Sequence, residues 1–457
     1  MHKLAQLDRD YVWHPFTQMR DWAKREPIIL ERGKGSVLMD VHGKKYLDGN
    51  ASIWTNLHGH NHPRLNRAIK AQLDKISHSS SLGLANKPAS LLAEKLVKAG
   101  GRPLKKVFFS DNGSTALEVA LKMSYEYNRR IGRARSPRFL SLGGGYHGDT
   151  VGAASLGQIE LFRQSCNGLL FKADKVISPN CYRCPFNKAK PDRRDARIGR
   201  KCKWECIGKL EVKLSSRKYG ALVLEPLIQG AAGMIMHPSG WLKRAVRAAR
   251  NSGTQVIADE VMTGFGRTGT IFAVQRENAV PDYLCLAKGM TGGYLPMAAT
   301  LTTQDVFDVF LGEYDEFKSF FHGHSYTGNQ LGSAAALASW ELLKDSKGRA
   351  RRKVLEKMLA CELETLWQLA AVGDVRQEGL VAGVELVDDW QTRKPFPLKA
   401  QVGARVCEQM ANRGILTRPI GNVVPLLPPY CTTDAQMRRM VRALRESIIE
   451  VLGGPRV

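Results

Sequence analysis

Long apolar runs and acidic side chains are what this sequence lacks. Its longest apolar stretch, GALVLEPLIQGAAGMIM at 220–236, is interrupted by Glu225, Pro226 and Gln229. A bilayer-spanning helix needs about 20 nearly unbroken apolar residues, so no membrane span is expected. The opening MHKLAQLDRDYVWHPF carries polar and charged residues where a secretory leader places its apolar run, and the expected location is the cytoplasm. Internal repeats and low-complexity linkers are also missing. With 43% hydrophobic and 24% charged residues, the composition is that of a folded globular chain and excludes wholesale disorder. At 457 residues there is room for a large domain and a smaller one, since domains typically run about 100–200 residues.

The acidic deficit leaves 43 Asp and Glu against 68 Lys and Arg, a formal net charge of +25. Such an excess favours anionic ligands. The cations are scattered through RRIGRARSPR (129–138), KAKPDRRDARIGRKCK (188–203) and KGRARRK (347–353), with no aromatic-rich RNA motif or zinc-finger spacing. They read as solvated faces, so nucleic acid is not an expected partner. Of nine cysteines, Cys166, Cys285, Cys361, Cys407 and Cys431 stand alone in apolar or helical contexts and read as reduced fillers. The other four form CYRC (Cys181, Cys184) and CKWEC (Cys202, Cys206). Paired thiols across a basic loop can bind zinc or an iron–sulfur cluster, although CxxxC is an unusual zinc spacing. No metal is assigned, and these four thiols are the candidates should one bind.

Residues 27–50 alternate apolar and polar side chains between Gly33, Gly35 and Gly43, which predicts short strands and turns. From residue 62 strands and helices alternate. Helical periodicity runs through HPRLNRAIKAQLDKI and PASLLAEKLVKAG, followed by the strand KKVFFS and the amphipathic TALEVALKMSYEYNRR. RFLSL, GALVLEP, TQVIADE, DYLCLAK and MAATLTT are short apolar strands of the kind covered on both faces in a parallel sheet. After residue 335 a long helix, further strands and two more helices are expected. The fold class predicted is α/β: a large domain over 62–335 with a mainly parallel sheet, and a smaller α+β domain from 1–61 and 336–457.

Ligands of open α/β sheets bind at the carboxyl ends of the strands, and the polar residues of interest fall there. SDNGS ends a strand and opens a helix, so Gly113 and Ser114 offer backbone N–H groups at a positive helix terminus, a seat for phosphate or a plain cap. Asp259 closes the apolar strand TQVIADE, where a carboxylate needs a partner such as a protonated ring nitrogen or a helix end. Lys288 follows another buried strand, and a lysine at an apolar pocket edge suits Schiff-base chemistry. Tyr146, in GGGYHGDT, can stack on a planar ring. Phosphate donors, an aromatic stacker, an acid for a pyridine nitrogen and an amine at equivalent strand ends together call for pyridoxal 5′-phosphate (PLP).

The succession SDNGSTALEVALK, GGYHGDT, LEPLIQGAAGM, IADEVMTGFGRTG, LAKGMTGGYLPMAA and HGHSYTGNQLG resembles the class III aminotransferases over nearly the whole chain. That resemblance implies the fold-type I PLP-dependent transferase architecture, PLP as cofactor and a homodimer with shared active sites acting on small molecules. Lys288 would carry the cofactor as a Schiff base, Asp259 would pair with its ring nitrogen and Tyr146 would cover the ring. Gly113 and Ser114 would bind the phosphate, with Ser325 of the HGHS segment reaching it from the other protomer. Arg418 would hold a substrate carboxylate, and Phe16, Trp54, Arg267 and Gly323 would border the substrate. Within the class, WHPFTQM, ASIWTNLHGHNHP and LTRPIGNVVPLLPPY are most similar to the branch converting 8-amino-7-oxononanoate to 7,8-diaminononanoate for biotin, with S-adenosylmethionine or lysine as amino donor. Another class III enzyme for ω-amino acids or diamines is the alternative, and a non-catalytic ligand-sensing or nucleic-acid-binding protein of this fold is a more distant one. The chain departs from that branch at Phe16, Ile53, His324 and Ser325, where Tyr, Trp, Pro and Thr are frequent.

Overall fold

The computed structural model describes residues 2–454 apart from residue 217. Its central element is a seven-stranded sheet. From one edge the strands are Leu104–Ser110, Ala298–Thr303, Tyr283–Leu286, Gln255–Asp259, Tyr219–Leu224, Arg138–Leu142 and Asp174–Val176. Only Ala298–Thr303 opposes the rest, pairing antiparallel on both sides, while the four remaining pairings are parallel. The short β-rich runs are thus mainly parallel, and their side chains show why they are nearly all apolar. Alternate residues of a strand point to opposite faces, and here both faces are covered. Leu222 and Leu224 join one buried cluster while Ala221 and Val223 join another; Leu284 and Leu286 divide likewise from Tyr283 and Cys285.

The helix Gly113–Arg130 packs over Ala298–Thr303 and Tyr283–Leu286, and the helix Lys87–Gly100 packs on Leu104–Ser110. Two further four-stranded sheets draw on the chain ends. Leu30–Lys34, Val37–Asp40 and Lys45–Asp48 continue into Ile415–Leu416, whose Ile415 pairs with Leu47 in parallel register. Val372–Glu378, Val381–Asp389, Lys394–Pro395 and Val423–Leu426 make the other.

The single long helix expected after residue 335 is two helices, Gln330–Lys344 and Ser346–Leu363. Asp345 separates them with ψ at 133°, ending the first helix and capping the second through its carboxylate on the Gly348 N–H at 2.8 Å. An Asp that caps its own chain competes with helix continuation, which apolar periodicity alone does not register. No helix among the described residues is long and apolar enough to cross a membrane.

Candidate active site

A cavity of about 1730 Å³ opens at the carboxyl ends of the central strands. Asp259 ends its strand in register with Cys285, and Lys288 follows that neighbour by three residues, so both side chains line the cavity. Gly113, Ser114, Tyr146, Trp54, Phe16 and Arg418 line it too. Eight residues drawn from the sequence reading, spread over some four hundred positions, therefore meet at one place.

The helix Gly113–Arg130 starts with a capping box. Thr115 N–H donates to Asn112 Oδ1 at 3.1 Å, and Thr115 Oγ1 accepts from Asn112 N–H at 3.0 Å. This leaves the amides of Gly113 and Ser114 without partners among the described residues. Free amides at a helix N-terminus suit an anion. Two glycines let neighbouring loops close on this seat: a Cβ on Gly113 would lie 2.7 Å from Val261 Cγ1, and one on Gly148, at φ +126°, would collide with Ser114 Oγ. Asp149 N–H also donates to Ser114 Oγ at 3.2 Å.

Asp259 is buried. One carboxylate oxygen accepts from His147 Nδ1 at 2.7 Å and the other from Val261 N–H at 3.1 Å. Burial disfavours charge on His147, but Asp259 and then Glu225 outweigh it, so the imidazolium is favoured. Glu225 sits beneath the same loop, accepting from Tyr146 N–H at 3.1 Å and Gly230 N–H at 2.8 Å. Burial pushes its carboxyl up to about 7, with His147 opposing and Asp259 adding to the rise. Burial likewise pulls the Lys288 ammonium below its ordinary value, against the attraction of Asp259 and Glu225. An amine so placed loses its proton more readily than an exposed one and is a better nucleophile.

Lys288 Nζ stands 4.7 Å from the centroid of the Trp54 ring, whose indole N–H is held by Asn50 Oδ1 at 2.9 Å. Trp54 gets there through an unusual turn. Ala51, Ser52, Ile53 and Trp54 have φ of 42°, 51°, 64° and 77°, four successive left-handed residues without a glycine. Such a conformation costs about 1–2 kcal/mol per residue and persists where packing over-determines it. Asp48 supplies part of that hold, accepting from Ser52 N–H and Ser52 Oγ, both at 3.1 Å. Tyr146 donates its hydroxyl to Asp149 at 2.7 Å, and its ring meets Phe162 edge-on at 5.8 Å. Phe162 also packs on Phe16 at 5.1 Å, and Arg418 anchors the Phe16 carbonyl through Nη2 at 2.7 Å. Arg418 shares the cavity wall with the aliphatic side chains of Ile53 and Ile420.

Three expected residues lie elsewhere. Arg267 does not border the cavity: it is wholly buried, donates to the Pro428 carbonyl at 2.9 Å and lies 5.3 Å from the Tyr430 ring. Its GFGRTG turn leads it into the core beneath the site, a direction no spacing rule could supply. Gly323 and Ser325 are exposed and outside the cavity of their own chain. The candidate thiols do not form a ligand set, and no group of three or more His, Cys, Asp or Glu among the described residues is arranged for a metal. Arg200 Nη1 occupies the side of Cys202 Sγ at 3.1 Å, while burial raises the Cys181 thiol to about 12.

His147 and Glu225 were not among the residues expected to form the site. His147 was a letter inside GGYHGDT, and Glu225 was read only as a break in an apolar run. The signal available for Glu225 was the one that singled out Asp259, an acid at the end of a fully buried strand.

The family model for class III aminotransferases matches residues 19–448. The adenosylmethionine-8-amino-7-oxononanoate aminotransferase of Geobacter sulfurreducens is 46% identical over 99% of this chain and 98% of its own. The crystal structure of the Methanocaldococcus jannaschii enzyme of that name superposes with a TM-score of 0.92 at 41% identity, covering 98% of this chain and 99% of that one. An amine transaminase from an uncultivated Pseudomonas species, solved in its PLP-bound form, gives 0.89 at 32% identity over 96% and 99%. The donor set fits PLP: two unclaimed amides for a phosphate, a buried carboxylate for a ring nitrogen and an amine whose ammonium is depressed by burial. The chain belongs to the class III aminotransferases, with pyridoxal 5′-phosphate as its cofactor.

Proposed function

We propose that this enzyme aminates 8-amino-7-oxononanoate to 7,8-diaminononanoate, a step toward biotin, taking the amino group from S-adenosylmethionine. The observation that carries the reading is the shared cavity wall of Lys288 and Arg418, set off by aromatic and aliphatic side chains. An acceptor with a carboxylate at one end, an alkyl chain and a ketone at the other matches that arrangement. Lysine as donor is a second reading, favoured by Ile53, an aliphatic residue on the cavity wall where a further indole face for a sulfonium is missing.

When bound, PLP supplies an electron-withdrawing ring that accepts and returns the amino group. The Gly113 and Ser114 amides would hold its phosphate, and Tyr146 would cover the ring. Asp259 would keep a proton on the ring nitrogen, and His147, whose Nδ1 lies 2.7 Å from Asp259 Oδ2, fixes the carboxylate's direction. The Lys288 amine would take the proton from the donor carbon as general base. The Arg418 fork binds the acceptor carboxylate. Residues 62–335 constitute the cofactor-binding domain and the two chain ends the smaller one. The working unit is a homodimer, in which the exposed Tyr314, Phe317, Phe321 and Tyr326 are covered and Gly323 and Ser325 reach the second site. Incubating the enzyme with 8-amino-7-oxononanoate and each donor tests the assignment: 7,8-diaminononanoate must form. Turnover confined to simple diamines or ω-amino acids refutes it, and the productive donor decides between the two readings.

A further inference from the structure

The HGHS segment that carries Ser325 has no strand or helix to hold it. Gly323, at its middle, has nothing within 4 Å of where a Cβ would be, and Ser325 Oγ has no partner among the described residues. Yet both flanking imidazoles are tied down. His324 Nδ1 lies 3.2 Å from Asp111 Oδ2, and Asp111 borders the cavity one residue before the cap of the phosphate-seat helix. His322 Nδ1 accepts from Lys122 Nζ at 3.0 Å, and Lys122 belongs to that same helix, Gly113–Arg130. The two rings meet edge-on at 5.1 Å, and Nε2 of each is buried without a hydrogen-bond partner. His324 N–H to Thr327 Oγ1 and Thr327 N–H to the His324 carbonyl, both 3.0 Å, close the turn behind them.

We propose that His324 and His322 are positioning residues that hold Ser325 for the cofactor phosphate of the second protomer, by anchoring its segment to the phosphate-seat helix of their own chain. The inference rests on the reading that Ser325 crosses to the partner's site. A lone hydroxyl on a glycine-containing loop contributes little to an anion unless the loop is already ordered, because fixing each backbone residue costs conformational entropy. The two imidazoles flank Gly323 and remove that freedom beforehand. They also join the sites physically, since the helix that seats one phosphate holds the segment that completes the other.

The test is the rate of PLP loss from diluted holoenzyme, followed by absorbance, in S325A, H324A, H322A and the double variant S325A/H324A. S325A and H324A are each expected to speed cofactor loss about tenfold to a hundredfold, the value of one hydrogen bond to a charged group. H324A made in the S325A background should change it by less than about twofold. His324→Asn, which keeps a donor toward Asp111, should restore most of the retention. An undiminished H324A effect without Ser325 overturns the proposal, showing that His324 supports Asp111 alone; so does an H324A variant that retains PLP normally. If S325A itself loses no cofactor, the crossing of Ser325 is what fails, and the proposal falls with it.

Discussion

Glu225 offers the sharpest quantitative check on the electrostatics of this site. Its carboxyl is raised from 4.5 to about 7 by burial beside Asp259, which corresponds to about 3 kcal/mol between its two protonation states. Because the folded-state value is the higher one, the folded protein binds more protons than the unfolded chain between pH 4.5 and about 7. Stability from this group is therefore fully present below pH 4.5 and lost as the pH rises through about 7. Glu225→Gln removes the ionisation. One acceptor toward the Tyr146 and Gly230 amides is lost at every pH, so that cost cancels when two pH values are compared. Urea unfolding of cofactor-free wild type and Glu225→Gln at pH 5 and pH 8 should show the variant gaining about 2–3 kcal/mol on wild type between them. A stability difference that is the same at both pH values, within about 1 kcal/mol, would mean that Glu225 ionises as an ordinary carboxyl, and the account of its burial would be wrong.

Lys288→Ala should lose covalent PLP, seen as no cofactor mass retained after borohydride reduction, and slow turnover by at least about a hundredfold, the lower range for a general base. Arg418→Ala should raise KM for a carboxylate acceptor about tenfold, the low end for charged hydrogen bonds because Arg418 is exposed on the cavity. The half-reaction with an amine that has no carboxylate should be unaffected, which steady-state and single-turnover kinetics separate. Ile53→Gly relieves one left-handed residue of about 1–2 kcal/mol and adds backbone entropy to the unfolded chain. Its side chain is 43% exposed, so the net should be a gain of up to about 1 kcal/mol in urea unfolding, and a loss would show that Ile53 packs more than its exposure suggests.

Much of this fold was legible because its strands are covered on both faces. Tyr219–Leu224 and Gln255–Asp259 are buried along their whole length, and such strands are mostly apolar until the first residue that meets the cavity. Asp259 and Lys288 therefore announced themselves as polar residues directly after apolar runs. The capped helix start with its two unclaimed amides was legible for a similar local reason, since a cap and a helix start are written within SDNGS. Arg267 shows the limit: its motif resembles those of the site, but its cation turns inward against Tyr430. The four thiols show it as well, because spacing along the chain says nothing about the guanidinium that occupies the side of Cys202.

The alternation of elements, the covered parallel sheet and the strand-end residues are written locally in the chain, because periodicity and the cost of burying charge act within a few residues. Packing had to establish that Asp259 draws the His147 pKa upward, that burial lifts the Glu225 carboxyl to about 7, and that a left-handed turn lays Trp54 against Lys288. Those outcomes depend on how far groups remote in sequence are withdrawn from water and which charges face them there. Distance and dielectric are properties of the packed chain, and no local pattern encodes them.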